Sequence, residues 1–320
     1  MANHKESLDM DSGGAQRFQK IYIILNPIAG HSSAEELRNS IESCFNHSGL
    51  TFEIYETTGK EDVAEITRAA CQKGADLVIA AGGDGTVAGV VNGLKNSGIP
   101  LGIVPVGTGN GLGRALSIPL EPEAALAVIA GDHKTIKLDA MQVGDQFYNL
   151  NVSAGLSARA MRDTPVAVKR RFGMLGYAWT IIKEFISVRP RRFSLNVDGH
   201  AVNISASEIL VSNGAFLKEP PFPLGPPESF NDGQFDIYIL TARSLASYLR
   251  IVWNFIFYAG RKSDLRHLTV TEKVSIDTIH HPQPVQADGE VIGHTPVEIK
   301  VVHDALTVIV PKETPSSNNS

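Results

Sequence analysis

The apolar run IYIIL (21–25) gives way to a polar loop from Asn26 to Ser33, followed by Leu37, Ile41 and Cys44 at helical spacing. Ser33 and Glu36 precede that face three residues apart, which predicts a capping box. The same change of period recurs down the chain. FEIYE (52–56) leads to Val63, Ile66 and Ala70 on one helical face, closed by Gly74. DLVIAA (76–81) passes through GGDGT (82–86) into a helix carrying Val90, Val91 and Leu94. LGIVPV (101–106) passes through GTGNG (107–111) into a helical pair ending near Gly131. Four such strand-helix units predict a doubly wound parallel sheet.

After about Asp139 the pattern becomes antiparallel β. FYNLNVS, FSLNV, AVNISASEILVS, FDIYIL, LTVTEKVSI, PVQADGEVI, VEIKVV and ALTVIV read as strands joined by turns, with helices near Val166–Val188 and Leu245–Arg261. The expected fold is α/β plus β: an N-terminal doubly wound α/β nucleotide-binding domain and a C-terminal antiparallel β-sandwich. The expected domains are 18–140 and 141–311, the last segment of the second free to return to the first. Residues 1–17 and 312–320 read as disordered tails, the first without the apolar stretch of a signal peptide.

Composition narrows the function. A length of 320 residues suits two domains. A net charge of −5 argues against nucleic acid and against bulk attraction to anionic bilayers, so any membrane contact must be local. Cys44 and Cys71, the only cysteines, offer neither a disulfide framework nor a cysteine metal site, which fits a reducing cytoplasm. Apolar stretches at Phe172–Ile182 and Ile251–Ala259 fall short of the roughly 20 residues that span a bilayer. Lys169, Arg170 and Arg171, then Phe172, Trp179 and Phe185, then Arg191 and Arg192 read either as a core helix with basic ends or as a peripheral membrane contact. The oligomeric state is open, a homodimer included.

The 29 glycines concentrate usefully. NPIAG (26–30), GGDGT and GTGNG all leave the C-terminal ends of strands, where open α/β sheets bind ligands. A residue without Cβ lets successive N–H groups converge on a phosphate beside the positive end of a helix. No Walker A sequence occurs, and Leu112 stands where a dinucleotide fingerprint needs its third glycine. Asp-Gly occurs at Asp84, Asp198, Asp232 and Asp288. Asp198 lies between two alternating runs and reads as a hairpin turn. Asp84 lies at a strand-helix junction, where a carboxylate has no turn role and could hold magnesium-bound phosphates.

ILNPIAG, AGGDGTVAGVVNGL and IVPVGTGNGLGRAL, followed in order by NVSAG (151–155), NDGQFD (231–236), ADGE (287–290) and HTP (294–296), resemble the diacylglycerol kinase catalytic-domain family. That family includes bacterial lipid kinases and sphingosine and ceramide kinases, and is more distantly related to NAD kinases. The resemblance runs from about residue 20 to 311. It implies an NAD kinase/diacylglycerol kinase-like fold and a lipid kinase that moves the γ-phosphoryl group of Mg-ATP to a hydroxyl of a membrane lipid such as diacylglycerol. It also implies nucleotide contacts at Asn26, Pro27, Gly30, Thr57, Gly83, Asp84, Gly85, Thr86, Gly107, Thr108 and Asn110, with Thr58 adjacent to the fourth. A divalent cation would be held by Asp232 with the carbonyls of Ser229 and Gln234, a plain turn being the alternative. The resemblance implicates the D-G-E segment in catalysis. Asp288, Glu290 and Asp84 are the candidate bases, and the sequence does not choose among them. Asn110 and Arg159 are the substrate candidates. Sphingosine kinases carry an acid at the latter position.

Three positions depart from the family pattern: Ala88 and Gly89 replace an Asn-Glu pair, and Gly111 replaces an Asp. They leave open a nucleotide- or lipid-binding protein without turnover, while the GGDGT loop, shared with NAD kinases, leaves open an NAD-kinase-like enzyme acting on a soluble nucleotide.

Overall fold

The computed structural model describes residues 18–27, 34–163, 190–213, 230–241 and 265–312. Both tails apart from Lys312, the end of the NPIAG loop including Gly30, Ser33 of the expected capping box, and the two helices expected in the second half lie outside these residues.

Strands β1 (Ile21–Leu25), β2 (Phe52–Glu56), β3 (Leu77–Gly82) and β4 (Leu101–Pro105) are parallel, in the order β2-β1-β3-β4. Every residue of β1, β3 and β4 is buried, as in a sheet covered on both faces. The intervening helices are α1 (Ala34–His47), α2 (Val63–Gln72), α3 (Asp84–Leu94), α4 (Gly111–Ala115) and α5 (Pro122–Ala130). Asp62 caps α2, accepting from the N–H groups of Ala64 and Glu65 at 2.9 and 3.2 Å.

Helices α2 and α3 approach closely because two glycines of α3 face α2. A Cβ at Gly89 would lie 2.6 Å from Val63 Cβ, and one at Gly93 2.2 Å from Thr67 Cβ. Gly89 is therefore a packing residue on the α2 side of the helix.

The chain continues through β5 (His133–Val143), β6 (Gln146–Tyr148), β7 (Asn151–Gly155), α6 (Leu156–Asp163), β8 (Arg191–Val197), β9 (His200–Ala206), β10 (Glu208–Ser212), β11 (Phe235–Leu240), β12 (Leu265–Val270), β13 (Lys273–Thr278), β14 (Pro284–Ala287), β15 (Glu290–His294) and β16 (Val297–Pro311). Among the described residues these strands complete two sheets. The larger extends the parallel sheet through β16, β13, β8 and β9, with β5 also on β16 and β6 on β5. The smaller is antiparallel, in the order β12-β11-β10-β7-β14-β15.

The long strand β16 links both halves. Its first part pairs with β13, and Val308 pairs in parallel with Leu101 of β4. Two runs that look continuous in sequence change sheet midway. AVNISASEILVS breaks at Ser207, whose N–H and hydroxyl both donate to the Leu240 carbonyl, and LTVTEKVSI breaks at Thr271 and Glu272. Alternation of period two persists through such a crossing, so the pattern does not register it.

One core fills the α/β half and a second lies between the two sheets, where Ile209, Val211 and Ile237 meet Leu195, Val274 and Ile276. The opposite face of the smaller sheet carries Asn151, Ser153, Glu208, Ser212, Asp236 and Gln286, all buried. A buried polar face must satisfy its hydrogen bonds internally or with a ligand.

Candidate active site

The loops after β1, β3 and β4 meet at the C-terminal edge of the parallel strands. Asn26 donates its amide to Thr86 Oγ1 at 3.2 Å, and its backbone N–H to the Ala81 carbonyl at 2.9 Å. A Cβ on Gly107 would lie 2.7 Å from the Gly83 Cα, so the second and third loops touch backbone to backbone. Gly83, the N-cap of α3, supplies no side-chain acceptor to the first turn of that helix. This is a cradle of the kind that accepts phosphate oxygens. Thr57 is buried at the same edge, its N–H on the Leu25 carbonyl at 2.9 Å. Pro27 lies in the turn after β1, and Thr108 is exposed at the mouth.

Asp84 begins α3 and is exposed, yet both its oxygens are used. They accept from Asn110 N at 3.0 Å and Gly111 N at 2.6 Å. Asp84 thus ties GGDGT to GTGNG, a structural role the dipeptide alone does not announce. Asn110 is left-handed at φ 53°, donates its side chain to the Gly107 carbonyl at 2.6 Å, and keeps a buried, unpartnered Oδ1. A Cβ on Gly111 would lie 2.7 Å from Leu150 Cδ1, so a leucine methyl occupies the space beside this glycine.

Leu150 brings the D-G-E segment to the same place. Asp288 accepts from the backbone N–H groups of Asn149, Leu150 and Asn151 at 2.9, 3.0 and 2.9 Å. Burial pushes its carboxyl above the usual range, those three donors pull it back, and the charge of Asp84 adds to the rise. Glu290 is exposed, and its carboxylate accepts no hydrogen bond among the described residues. Burial also raises the Tyr148 hydroxyl, and the charges of Asp288 and Glu290 raise it further.

Asp232 and Gln234 belong to another locality. Gln234 N donates to Asp232 Oδ1 at 3.1 Å, and Gly233 N donates to buried Asp139 at 2.8 Å. Asp139 also accepts from Asp304 N at 2.8 Å, in the irregular stretch of β16. Ser229 lies outside the described residues. No group of three or more His, Cys, Asp or Glu side chains suited to a metal occurs among the described residues. Arg159 lies on α6, with Nη1 3.4 Å from Gln283 Oε1. Arg191 and Arg192 are exposed at the start of β8, whereas the basic-aromatic segment before them is outside the described residues. No helix among the described residues is long and apolar enough to cross a membrane.

Sequence reasoning missed several residues that hold this site. Asn92 donates to the Phe147 carbonyl at 3.1 Å and accepts from Phe147 N at 2.7 Å, binding α3 to β6 as a strand neighbour would. A lone amide in the apolar helix VAGVVNGL was the available signal. Tyr148, Asp139 and Gln286 left none, because alternating strands carry polar residues routinely.

An α/β unit whose glycine loops meet a turn from a β-sandwich is the architecture of the NAD kinase and diacylglycerol kinase group. Residues 20–143 match the diacylglycerol kinase catalytic domain, and residues 150–310 match the YegS C-terminal NAD kinase beta sandwich-like domain. The chain belongs to the diacylglycerol kinase catalytic-domain family and is a kinase, for which ATP is the implied donor. It is 32% identical over 301 residues to a diacylglycerol kinase of Bacillus subtilis, covering 91% of this chain and 96% of that one. An uncharacterised Synechocystis protein is 30% identical over 312 residues, 91% of this chain and 70% of the other. A crystal structure of a diacylglycerol kinase from Bacillus anthracis superposes with a TM-score of 0.76 at 24% identity, covering 94% of this chain and 99% of that one.

Proposed function

We propose that this protein transfers the γ-phosphoryl group of ATP to a hydroxyl of a membrane lipid, diacylglycerol or a close relative. The observation that carries the reading is the junction of Asp84, Gly111, Leu150 and Asp288, which puts the glycine cradle next to the D-G-E turn. A phosphoryl donor in the first and an acceptor hydroxyl beside the second would stand in line for transfer.

Within this reading Asn26, Pro27, Gly30, Thr57, Gly83, Gly85, Thr86, Gly107 and Thr108 hold the nucleotide. Magnesium suits a site with one carboxylate, Asp84, because this ion is commonly held by one or two carboxylates together with substrate phosphates. It would neutralise phosphate charge during transfer. The cation proposed at Ser229, Asp232 and Gln234 would be structural. Asn110, anchored on the Gly107 carbonyl, would shape the loop beside the acceptor hydroxyl.

Among the three candidate bases, Asp84 and Asp288 are occupied by backbone N–H groups, and Glu290 is exposed with its oxygens open. We assign the base to Glu290 and an anchoring role to Asp288. Residues 18–140 would then serve ATP and 141–311 the lipid, from a cytoplasmic position with a peripheral membrane contact near 169–192. Incubation with Mg-ATP and a lipid panel, read as phosphate incorporation by mass, tests this directly. Phosphorylated diacylglycerol is expected, abolished in Asp84→Asn. Phosphorylation of NAD instead, or ATP binding without any product, would overturn it.

A further inference from the structure

Two large hydrophobic side chains stand out as exposed among the described residues, Ile279 at 49% and Val291 at 39%. They lie on adjoining parts of the fold. Ile279 opens the turn that carries the chain from β13 of the larger sheet to β14 of the smaller one. Val291 is on β15, the edge strand of the smaller sheet, which pairs with β14. Single exposed hydrophobics are common and mean little by themselves.

The turn beneath Ile279 is built on a buried polar base. Gln283 and Thr295, 5% and 3% exposed, hold each other: Thr295 N donates to the Gln283 carbonyl at 2.8 Å, and Gln283 N to Thr295 Oγ1 at 3.0 Å. Gln283 Nε2 also donates to the carbonyls of His281 and Pro282 at 3.0 and 3.2 Å. Thr278 Oγ1 donates to the His281 carbonyl at 3.1 Å and closes the turn across its mouth. Ile279 N donates to the Arg192 carbonyl at 3.1 Å, so the turn is fixed to the start of β8 as well. An isoleucine held toward solvent on so fixed a turn keeps its apolar surface in water unless a partner covers it.

The surroundings select that partner. Arg191 and Arg192 are exposed beside Ile279, whereas the carboxylate of Asp277 accepts from Thr278 N at 2.6 Å. The chain as a whole is divided in the same sense. Residues 18–140 carry 14 Asp and Glu against nine Lys and Arg, and residues 141–311 carry 16 against 17, so the second half is the one that an anionic surface repels least. A stable protein interface covers about 800 Å² on each partner around an apolar core, which two half-exposed side chains do not supply. A bilayer asks for no shape complementarity, only for apolar side chains that enter the headgroup boundary and cations at the level of the lipid phosphates.

We propose that the turn at 279–281 and the edge strand β15 form a docking edge for an anionic bilayer, with Ile279 and Val291 entering the headgroup boundary and Arg191 and Arg192 lying against lipid phosphates. This edge adds a rigid element to the contact placed above near 169–192, and it fixes an orientation. β15 runs from Glu290 to His294, about 13 Å at 3.3 Å per residue, so docking along it brings the candidate base to the bilayer surface. The consequence for turnover rests on the lipid-kinase reading, while the binding itself needs neither ATP nor catalysis.

Sedimentation of the full-length chain with vesicles, in the absence of nucleotide, tests the docking edge. Wild type is expected to bind vesicles of equal parts phosphatidylcholine and phosphatidylglycerol at least about tenfold more tightly than phosphatidylcholine alone, and to lose that advantage near 1 M salt, where the screening length falls to about 3 Å. Ile279→Asp should weaken binding to the anionic vesicles about tenfold, and Arg191→Gln combined with Arg192→Gln about thirtyfold, roughly fivefold for each arginine, with melting temperatures unchanged. Ile279→Trp puts a reporter in the turn: its emission, taken as the difference from wild type, should shift to the blue on anionic vesicles and stay in place on neutral ones. Turnover of Ile279→Asp should fall on anionic vesicles and hold on a short-chain diacylglycerol dispersed as monomers. Wild-type affinity in Ile279→Asp or in the arginine variant, equal or absent binding of wild type to the two kinds of vesicle, or an unshifted emission in Ile279→Trp would overturn the docking edge. So would a wild-type dimer in solution that Ile279→Asp dissociates, since a second copy would then cover the turn. Vesicle binding as expected from a chain that phosphorylates no lipid would instead leave the docking edge standing and sink the functional reading.

Discussion

Asp198 and Asp288 perform the same structural task in the two different sheets, Asp198 between β8 and β9 and Asp288 between β14 and β15. Each precedes a glycine, each is left-handed, at φ 48° and 45°, and each accepts from three consecutive backbone N–H groups of a distant connection. For Asp198 those groups belong to Thr271, Glu272 and Lys273, with the Thr271 hydroxyl as a fourth donor at 3.0 Å. The Asp-Gly pair is thus both a hairpin turn and a clamp on a second turn.

The clamp at Asp198 has a pH signature. Burial, the largest single influence, raises its carboxyl, but the donors from Thr271, Lys273 and Glu272 together outweigh it and hold the group below the usual range. A depressed carboxylate contributes stability that is present above its unfolded pKa, about 3.9, and disappears as pH falls through the lower folded value. Asp198→Asn should therefore unfold more easily than wild type at neutral pH, and the gap should close below about pH 4. Urea denaturation at several pH values measures it, and a gap that widens in acid would contradict the assignment.

Gly89 should be more sensitive than its helical position suggests. In an exposed helix, Gly→Ala gains up to about 1 kcal/mol. Here the added carbon would meet Val63 at 2.6 Å, so Gly89→Ala is expected to destabilise, by about 1–3 kcal/mol. Gly89→Glu should be worse, and Val63→Ala should rescue the alanine variant. A higher melting temperature in Gly89→Ala would show that the helices separate freely.

Glu290 and Asp288 should separate kinetically. Glu290→Gln is expected to lower kcat by about 10²–10⁴ with KM for ATP and melting temperature unchanged, as for an exposed base. Asp288→Asn replaces one accepting oxygen with an NH2 group facing N–H donors, so it should lose stability as well, by about 1–3 kcal/mol. If Glu290→Gln kept full kcat while Asp288→Asn lost it at unchanged stability, the two assignments would be exchanged.

The strand-helix order of the first half and the glycine loops were legible because they rest on local periodicity and on a few residue types with narrow uses. The α/β plus antiparallel architecture followed from the change of period near Asp139. What stayed hidden depends on partners far away in the chain. Gly89 looks like a lost acid until Val63 is beside it, Asn92 looks like a weak helix residue until it pairs with Phe147, and the crossing at Ser207 leaves the alternation intact. Asp84 shows the same limit, since its two acceptor bonds go to residues 26 and 27 positions later.

Arg159 bears on the acceptor lipid. It is half-buried on α6, which packs on β7, β14 and β15, the last of which begins with Glu290. Where the resemblance sets an acid in sphingosine kinases, this chain sets a permanent cation. A substrate ammonium within about 4 Å of it would meet a repulsion on the order of a few kcal/mol at an effective dielectric of about 20. Neutral or anionic acceptors escape that cost. Diacylglycerol, ceramide-like or anionic glycerolipids are therefore expected to be phosphorylated in preference to free sphingosine, with kcat/KM at least about tenfold higher, a conservative share of that repulsion. Arg159→Asp should narrow the ratio by lifting the rate on sphingosine. The change should fall on sphingosine alone, because a loss shared by both lipids would reflect the packing of α6. The measurement is kcat/KM for both lipids in mixed micelles, wild type beside variant. A wild type that prefers sphingosine would refute the charge rule, and an unchanged ratio in Arg159→Asp would assign the preference to other residues.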